Sequence, residues 1–403
     1  MSKKLRVAIV GTGSRGVSCF TQIFRKRDDV EIAAFCDVNT FRARAAAEQN
    51  KITPAIYSSM EEMAQKETLD GVIITVPDCF HHDCAVKALK SGWNVLIDKP
   101  LATNVKDCQE IIDLARETGK TVMIGFNLRH NAVLKRLKQI IDDGLLGKVF
   151  LCENREFYDG GRTYMSRWNR LYKYTGGLWI HKGGHDFDVF NWLLNFPKPA
   201  RVTSFAGVNV LTPENLPFEK EPGHEPGPGC NSCYYKDKCP DKYMLTEEDL
   251  TMWGPEAAAQ DGYLKNRCMY TSDKDNHDNG IAIVEYENGV RISHMECFIG
   301  NKSDRLYTIV GDKGIAEVSL ADRTITVIPR WGKSETFTEK LQEEEGGHGG
   351  ADPNLVERFC QVLRGEAIPN STAEHGLLST AIGQAAEISR RENRMVDMKE
   401  LLG

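Results

Sequence analysis

Residues 176–188 read GGLWIHKGGHDFD and bring two histidines and a lysine together among four glycines. Residues four apart on a helix share a face, so we predict that His181 and His185 lie on one helix and converge on one substrate, while Lys182 points elsewhere. Imidazoles exchange protons near neutral pH, and His181 can relay a proton as well as orient His185. The alternatives are a packed polar role for His181 and a metal bound by the two histidines, for which the sequence places no third ligand.

A glycine-rich loop follows the first apolar run, VAIV, and opens an amphipathic stretch. Glycine lets a pyrophosphate approach the backbone closely, and the helix that follows offers unpaired N–H groups and the positive end of its dipole. The loop residues are Gly11, Thr12, Gly13, Ser14, Arg15 and Gly16. We predict that this loop binds a dinucleotide; the alternative is a purely structural glycine turn.

Asp37 ends the second apolar run, 21 residues after Gly16. A carboxylate at this position can accept hydrogen bonds from both hydroxyls of an adenosine ribose. It also repels a 2′-phosphate, so the predicted cofactor is NAD rather than NADP, although Arg42 is close enough in sequence to bind such a phosphate. If the loop is only structural, Asp37 is a helix cap instead.

Further motifs occur in a fixed order along nearly the whole chain, and together they resemble the glucose-fructose oxidoreductase and inositol dehydrogenase family (Gfo/Idh/MocA). Besides the glycine loop and GGLWIHKGGHDFD, they are VPDCFH at 76–81, IDKP at 97–100 and GGHGGADPNLVERFCQVL at 346–363. The resemblance implies a nicotinamide-dependent dehydrogenase.

The resemblance also implies roles for single residues. Lys99 and His185 would act at the reacting hydroxyl, while Pro77, Asp78 and His81 would line the nicotinamide side of the cofactor. Physical chemistry agrees, because hydride transfer from a carbinol carbon needs a base for the O–H proton and a cation for the developing alkoxide. For Lys99, a solvated lysine at a strand end is the alternative.

Three positions depart from the family's motifs. Asp98 replaces the glutamate that precedes the lysine, which shortens the reach of the carboxylate. Asp78 replaces the asparagine that follows the proline. His181 replaces an aspartate, so the usual pair of aspartate and histidine becomes two histidines.

Aromatic and polar residues before and around these motifs are candidates for substrate binding. The segment FYDGGRTYMSRWNR suggests a platform of rings and a hydrogen-bonding cation for a sugar, and two further polar residues follow the fifth predicted strand. The candidates are Tyr158, Arg162, Tyr164 and Trp168 in the segment, and Asn127 and Arg129 after the strand. Core packing is the alternative for Trp168.

Four of the twelve cysteines have a spacing that suggests metal binding. Cys230, Cys233 and Cys239 lie close together, and Cys268 follows after a helical-looking insert. Four thiolates can surround a structural zinc ion or an iron–sulfur cluster, and a metal would supply folding energy to a segment without strong hydrophobic periodicity. Free thiols and disulfides are the alternatives.

Short apolar runs alternate with amphipathic stretches over the first 127 residues, which is typical of a parallel sheet covered by helices. The predicted strands are 7–10, 31–38, 71–77, 94–98 and 121–127, and the predicted helices are 20–27, 43–49, 83–91 and 105–118. We therefore predict an α/β protein whose residues 1–127 form a dinucleotide-binding Rossmann domain.

From residue 128 the pattern changes to longer alternating strands with hairpin turns at 287–289 and 311–314. It predicts that residues 128–403 form an α+β domain for substrate binding and oligomerisation, with a large, mostly antiparallel sheet. Its predicted parts are a helix at 131–143, a cysteine-containing insert at about 212–270, C-terminal helices within 354–403, and loops at 219–229 and 343–353.

Composition limits the partners. The net charge of -6 is mild and the basic residues are scattered, so no nucleic-acid partner is expected. Apolar runs are too short for a membrane span and no signal-peptide pattern precedes the first strand, so no membrane association is expected. The other eight cysteines sit singly in apolar or helical contexts, which is typical of reduced thiols and of a cytoplasmic protein. The expected partners are a small carbohydrate and further copies of the chain, in a homodimer or homotetramer.

Three functions are consistent with these residues. The leading hypothesis is an NAD(P)-dependent oxidoreductase that acts on a secondary hydroxyl of a sugar, glycoside or cyclic polyol, with Lys99, His185 and His181 handling the proton. The second is a redox-cycling epimerase or eliminase with retained NAD, since oxidation acidifies the neighbouring C–H and His181 supplies a second base. The third is a non-catalytic dinucleotide-binding sensor, against which the joint presence of Lys99 and His185 argues.

Overall fold

Six short strands form one parallel sheet in the N-terminal part, as the alternating pattern predicts. The computed structural model describes residues 4–332, 335–343, 345–347 and 349–403, so residues 344 and 348 of the predicted loop at 343–353 lie outside the described residues. The strands are β1 Leu5–Val10, β2 Val30–Cys36, β3 Ala55–Tyr57, β4 Gly71–Ile74, β5 Asn94–Ile97 and β6 Val122–Ile124.

The strand order β3-β2-β1-β4-β5-β6 creates a switch point between β1 and β4, from which the chain winds outward in both directions. In such sheets, ligands bind in the crevice at the carboxyl ends of the strands next to this point. The edge strand β3 was not predicted, because three residues are too short a run to give a strand pattern.

Helices connect these strands. They are α1 Gln22–Phe24, which continues a π-helical segment at Gly16–Thr21, α2 Thr40–Asn50, α3 Met60–Lys66, α4 His81–Lys90 and α5 Val105–Thr118. Three of them begin at polar caps, since the side chains of Asn39, Ser59 and Asn104 accept hydrogen bonds from backbone N–H groups of the first turn. The four predicted helices are confirmed in place, and α3 is an addition.

The second sheet has nine strands in the order β14-β13-β12-β11-β7-β10-β9-β8-β15. All neighbours are antiparallel except β7 and β10, so the predicted mostly antiparallel sheet is confirmed. Hairpins at 287–289 and 311–314 join β9 to β10 and β11 to β12, as predicted. The strands are β7 Val149–Phe157, β8 Pro199–Gly207, β9 Asn279–Tyr286, β10 Arg291–Cys297, β11 Asp304–Gly311, β12 Gly314–Ser319, β13 Thr324–Pro329, β14 Phe337–Lys340 and β15 Val396–Asp397.

The other helices follow residue 130, and the two longest of them pack one against the first sheet and one against the second. They are α6 Ala132–Asp142, α7 Gly161–Tyr164, α8 Tyr172–Thr175, α9 Leu178–His181, α10 Gly184–Leu193, α11 Glu247–Trp253, α12 Pro255–Asp261, α13 Ala351–Leu363, α14 Ala373–Glu392 and α15 Lys399–Leu402. Helix α13 returns to the first sheet, where Leu355, Val356 and Phe359 share a core with Val7 and Ile9. Helix α14 packs with its alanines in the core of the second sheet.

An insert of residues 208–278 lies between β8 and β9 and contains α11 and α12. Its Met252 and Trp253 join the core of the first sheet beside α2, and its Met269 and Tyr270 pack with Tyr164 in a separate small core. The insert therefore touches both halves of the molecule. Among the described residues, no helix combines the length and apolar character that a membrane span requires.

Candidate active site

The glycine loop packs so closely on the strand ends that two of its glycines have no space for a side chain. A Cβ on Gly11, whose φ is +93°, would lie 2.7 Å from the backbone nitrogen of Val76, and a Cβ on Gly16 would lie 2.2 Å from the carbonyl oxygen of Gly11. By contrast, a Cβ on Gly13 would meet no atom within 4 Å. The loop thus leaves one open cradle of bare backbone at the start of the helix, which fits a pyrophosphate.

The end of β2 fits the adenosine half of NAD. The carboxylate of Asp37 accepts hydrogen bonds from the backbone N–H and hydroxyl of Thr12, at 2.7 and 2.8 Å, so it lies directly beside the cradle. The apolar side chain of Val38 next to it is 84% exposed, and an adenine ring would cover it.

Arg42 is engaged away from that position. Its guanidinium donates to Asp261 of the insert at 2.7 Å and packs over the ring of Trp253 at 4.6 Å. This leaves the acidic Asp37 as the side chain beside the cradle, which favours NAD over NADP.

Arg15 links the loop to the rest of the site. It donates to Asp98 at 3.0 Å and, through two nitrogens, to Asp352 at 2.8 and 3.1 Å. The amide of Asn127 donates to the same Asp352 at 2.9 Å. Asp352 was not among the predicted site residues, although it lies inside the closing GGHGGADP motif.

His81 holds together the loops that follow β4 and β5. One ring nitrogen lies 2.6 Å from the carbonyl oxygen of Pro100 and the other 3.0 Å from that of Val76, so the residues around Pro77 and Lys99 are held together. His81 itself is buried, so its role here is to hold these two loops in place.

Lys99 lies at the bottom of the site. Its ammonium group donates to the backbone carbonyl of His181. Burial lowers the pKa of Lys99, while Asp78 and Asp98 oppose this effect. Lys99 is therefore partly buried and held against the last residue of α9, where its ammonium group can face a developing alkoxide.

His181 forms a buried pair with Asp78. Its Nδ1 lies 2.6 Å from the carboxylate of Asp78, and the amide of Asn169 donates to its Nε2 at 2.8 Å. These partners assign the proton to Nδ1, while the lone pair of Nε2 accepts the hydrogen bond from Asn169. Burial raises the pKa of Asp78 to about 7 and lowers that of His181 well below its usual value, so the imidazole is neutral.

Two aromatic rings enclose the imidazole of His181. Trp168 and Tyr164 meet it edge-on, with ring centroids 5.2 and 5.7 Å away. Trp168 is thereby brought next to His181, and its predicted role in a sugar platform stays a prediction. Asn169 was not among the predicted site residues. It directly follows Trp168 in the aromatic segment, which is the feature of the sequence that points to it.

The prediction that His181 and His185 share one helix is wrong. His181 ends α9 and His185 is the second residue of α10, because the chain breaks its helix at Lys182 and Gly183. A Cβ on Gly183 would lie 2.9 Å from the carbonyl oxygen of Trp179, so the break is as tight as glycine allows. The two imidazoles therefore project from separate helices, and His185 is the more exposed of the two.

Lys182 turns into the second domain. Its ammonium group lies 2.6 Å from Glu156 of β7 and 4.6 Å from the ring centroid of Tyr158. Although burial lowers it, the pKa of Lys182 is raised to about 12 by Glu156 and Tyr164. Glu156 has no sequence signal, because it lies as an inward-facing residue in an alternating strand.

The remaining substrate candidates take different positions. Arg129 is 4% exposed and forms a bidentate ion pair with Asp188, at 2.6 and 2.8 Å, so its guanidinium is occupied inside the fold rather than directed at the crevice. Arg162 lies near Cys230 of the insert. Asn127 donates to Asp352, and the ring of Tyr158 lies against the ammonium group of Lys182, so both residues are near the site.

A cavity of about 290 Å³ opens beside Glu156. Its lining is mixed, and Glu156, which forms ion pairs with Lys182 and with Arg305 at 2.6 and 2.8 Å, links it to the segment between α9 and α10. The lining residues include Asn131, Glu156, Tyr158, Ser303, Arg305 and Arg323.

Comparison with known proteins follows the same division of the chain. Residues 5–126 match the family model described as "Oxidoreductase family, NAD-binding Rossmann fold", and residues 138–398 match the one described as "Oxidoreductase family, C-terminal alpha/beta domain".

Three known proteins illustrate the similarity. YteT of Bacillus subtilis (strain 168), described in general terms as an oxidoreductase, is 27% identical over 98% of both chains. The D-glucoside 3-dehydrogenase of Escherichia coli (strain K12) is 28% identical over 52% of this chain and 60% of its own. The crystal structure of an Agrobacterium radiobacter oxidoreductase in complex with NAD+, L-tartaric acid and magnesium shares the fold, with a TM-score of 0.72 and 14% identity over 99% of both chains.

Proposed function

We propose, from the premise that this chain belongs to the Gfo/Idh/MocA oxidoreductase family, that it is an NAD-dependent dehydrogenase that oxidises a secondary hydroxyl of a sugar, glycoside or cyclic polyol. The observation that carries the proposal is the connected cluster of Lys99, His181 and Asp78 at the carboxyl ends of the parallel strands. The cofactor loop is joined to this cluster by the ion pair of Arg15 with Asp98, the residue before Lys99.

The residues divide the chemistry between them. When bound, NAD accepts the hydride from the carbinol carbon, and the hydroxyl proton must leave in the same conversion of alcohol to ketone. The imidazole of His185 takes that proton, or Nε2 of His181 does so in exchange for its hydrogen bond from Asn169. Asp78 holds His181 in the tautomer that leaves Nε2 free of hydrogen, and Lys99 stabilises the negative charge that develops on the oxygen.

Two observations support a carbohydrate as substrate. The E. coli relative is named as a D-glucoside 3-dehydrogenase, and the cavity beside Glu156 is close to the lower limit of about 300 Å³ for ligand pockets, which suits a single sugar ring or a small substituent. Glu156, Arg305 and Asn131 offer that ring both donors and acceptors.

A closed redox cycle is the second candidate. It is favoured by the placement of two imidazoles on separate helices, since His181 and His185 can then serve different hydrogens of one substrate. One would take the hydroxyl proton, and the other would remove the C–H proton that the new ketone acidifies. Epimerisation or elimination would follow, and NAD would be regenerated in the same turnover.

The experiment begins with ligand released by denaturing freshly purified protein, identified by mass spectrometry. The protein is then incubated with cyclic polyols, sugars and glycosides, with and without added NAD. NADH that accumulates with one ketone per NADH supports the dehydrogenase. Product without net NADH from protein that retains NAD supports the closed cycle.

The Lys99→Met variant separates both enzymes from a non-catalytic sensor. The substitution removes the cation without adding bulk, so NAD binding should persist while turnover falls by at least about 100-fold, which corresponds to roughly 2.7 kcal/mol. Turnover equal to that of the unmodified chain would contradict the assignment of Lys99.

A further inference from the structure

The insert of residues 208–278 gathers four cysteines from distant positions. The backbone N–H of Cys230 donates to the carbonyl oxygen of Asn266 at 3.0 Å, and that of Cys268 donates to the carbonyl oxygen of Pro228 at 3.0 Å. These bonds flank an antiparallel bridge between Gly229 and Arg267, so Cys230 and Cys268 are brought next to the same bridge. Cys233 follows in the same turn, since its N–H donates to Cys230 at 3.2 Å.

We call Cys230, Cys233, Cys239 and Cys268 the cysteine cluster. Gly227 links two of its members, because its N–H donates to the sulfur of Cys233 and a Cβ at this position would lie 3.6 Å from the Cβ of Cys268. Burial raises the pKa of the Cys230 thiol, and so do the neighbouring thiols of Cys268 and Cys233. Burial likewise raises the pKa of Cys239, to which Cys230 and Cys268 contribute. All twelve cysteines of the chain are free thiols in the described structure.

Backbone N–H groups are directed at three of the four sulfurs. Gly227 donates to the sulfur of Cys233 at 3.4 Å. The N–H groups of Tyr243 and Asp241 act on Cys230 and Cys239 and oppose the effect of burial on the pKa of each thiol. Such donors stabilise thiolates, and a neutral buried thiol has little need of them.

Two cations balance the charge that a metal would leave. Four thiolates around a centre of charge +2 carry a net charge of about -2. Arg162 lowers the pKa of Cys230, and Cys268 acts on Lys274, so one cation lies near each end of the cluster. The Nε of Arg162 is buried and has no hydrogen-bond partner among the described residues, and a cluster sulfur would provide one.

The insert also lacks a large core of its own. Residues 208–246 contain only 3-10 turns, and the apolar residues of the insert pack outward against α2 and against Tyr164. A metal would supply the internal cross-link that this segment otherwise lacks, because binding free energy at such sites is folding free energy.

We propose that Cys230, Cys233, Cys239 and Cys268 ligate a metal centre that fixes the insert between the cofactor half and the substrate half of the molecule. Zinc with four thiolates holds their sulfurs about 3.8 Å apart, from a Zn–S distance of about 2.3 Å. Within the described ranges, the one group of three or more potential ligands within 4.8 Å of one another is Glu156, Asp186 and His294. No three of the four sulfurs lie within 4.8 Å of one another in the described residues, so the centre is either an iron–sulfur cluster or a zinc ion that draws the sulfurs closer together.

Metal analysis of the whole chain tests the proposal. The protein is purified under anaerobic conditions without a metal-chelating resin, and iron, zinc and acid-labile sulfide are measured together with the visible spectrum. Iron with matching sulfide supports the cluster, and about one zinc per chain supports the same ligand set with a single ion. Folded protein with metal at background, or with disulfides between these cysteines in its mass spectrum, would overturn the proposal.

Variants identify the ligands. The double variant Cys230→Ser/Cys268→Ser should lose the metal, whereas Cys297→Ser, a partly exposed cysteine of β10 outside the insert, should retain it. If the double variant does not fold, removal of the metal from the unmodified chain by a chelator under anaerobic, reducing conditions serves instead. About four additional thiols should then become reactive, together with protease sites confined to 208–278; an unchanged thiol count would count against the site.

Discussion

Asp78 and His181 carry the chemistry in which this chain departs from its family's motifs. The carboxylate expected at position 181 is absent, and a carboxylate appears instead at position 78, where the motif has asparagine. The structure joins the two departures in one hydrogen bond of 2.6 Å between buried groups. A single substitution at either position changes the partner of a buried polar group, so we expect the two residues to behave as a unit.

A variant cycle tests this coupling. His181→Asp alone sets two carboxylates together in a buried site and should reduce kcat by at least about 100-fold, because like charges there cannot both ionise. Asp78→Asn alone should cost less, about 10-fold, since an amide oxygen still accepts from Nδ1. The double variant restores the family pattern and should recover at least about 10-fold over His181→Asp; additive losses in kcat would show that the residues act independently.

The pH dependence follows from the raised pKa of Asp78. Burial raises that pKa to about 7, so Asp78 is ionised above this value and protonated below it. Protonation removes the acceptor that holds His181 in its productive tautomer, and kcat should therefore fall as the pH falls through about 7. Asp78→Asn should abolish this limb in a pH profile, with circular dichroism at each pH as the control for folding. A limb that persists in the variant would assign it to another group.

At the scale of elements, the glycines of the loop have different roles: Gly13 leaves room for the cofactor, and Gly16 allows the loop to pack closely. Gly13 faces open space and Gly16 faces the backbone of Gly11, although the two differ little in sequence context. Strand β1, the loop and the π-helical segment after it are held by this contact, and the cradle for the cofactor is what remains open.

Two alanine substitutions test this division. Gly13→Ala should leave Tm unchanged and weaken NAD binding by about 10-fold or more, or roughly 1.4 kcal/mol, because its Cβ occupies the space in which a pyrophosphate approaches. Gly16→Ala should lower stability by roughly 1–3 kcal/mol through overpacking. Calorimetry of NAD binding and thermal unfolding measure the two effects; equal NAD affinity in Gly13→Ala and the unmodified chain would move the cofactor away from the cradle.

At the scale of the whole molecule, the second sheet leaves one face uncovered by the described helices. Along β9 the side chains alternate, so that Ala282 and Val284 enter the core while Ile281 and Ile283 are 44% and 46% exposed. Phe205 of β8 is directly opposite Ile281 and is 75% exposed. Adjacent exposed apolar side chains on an open sheet face are typical of a surface that pairs with another copy.

We expect the chain to form a homodimer or homotetramer through this face. The double variant Phe205→Asp/Ile283→Asp should shift the mass from light scattering to that of the monomer, because charged side chains cannot be buried in an apolar interface. Ile368→Asp is the matched control, since Ile368 is 82% exposed and lies outside both sheets. A monomer in the unmodified chain would contradict the prediction.

Local patterns of the sequence determined most of the architecture. The parallel strands appear as short apolar runs because both faces of that sheet are buried, and the hairpins appear because asparagine and glycine accept the turn conformations. The positions of Lys99, His181 and the glycine loop followed from ordered motifs in the same way. Strand β3 and helix α3 were missed because they are short and have little periodicity.

Only the tertiary structure decided how the site's side chains pair. Asp78 meets His181 across 103 residues, Glu156 meets Lys182 and Asp186 meets Arg305 from different strands and helices, and Arg129 turns inward to Asp188. The helix break at Gly183 likewise depends on the close approach of Trp179. These contacts join residues that are far apart in sequence, and their geometry is fixed by how elements pack rather than by the periodicity within any one element.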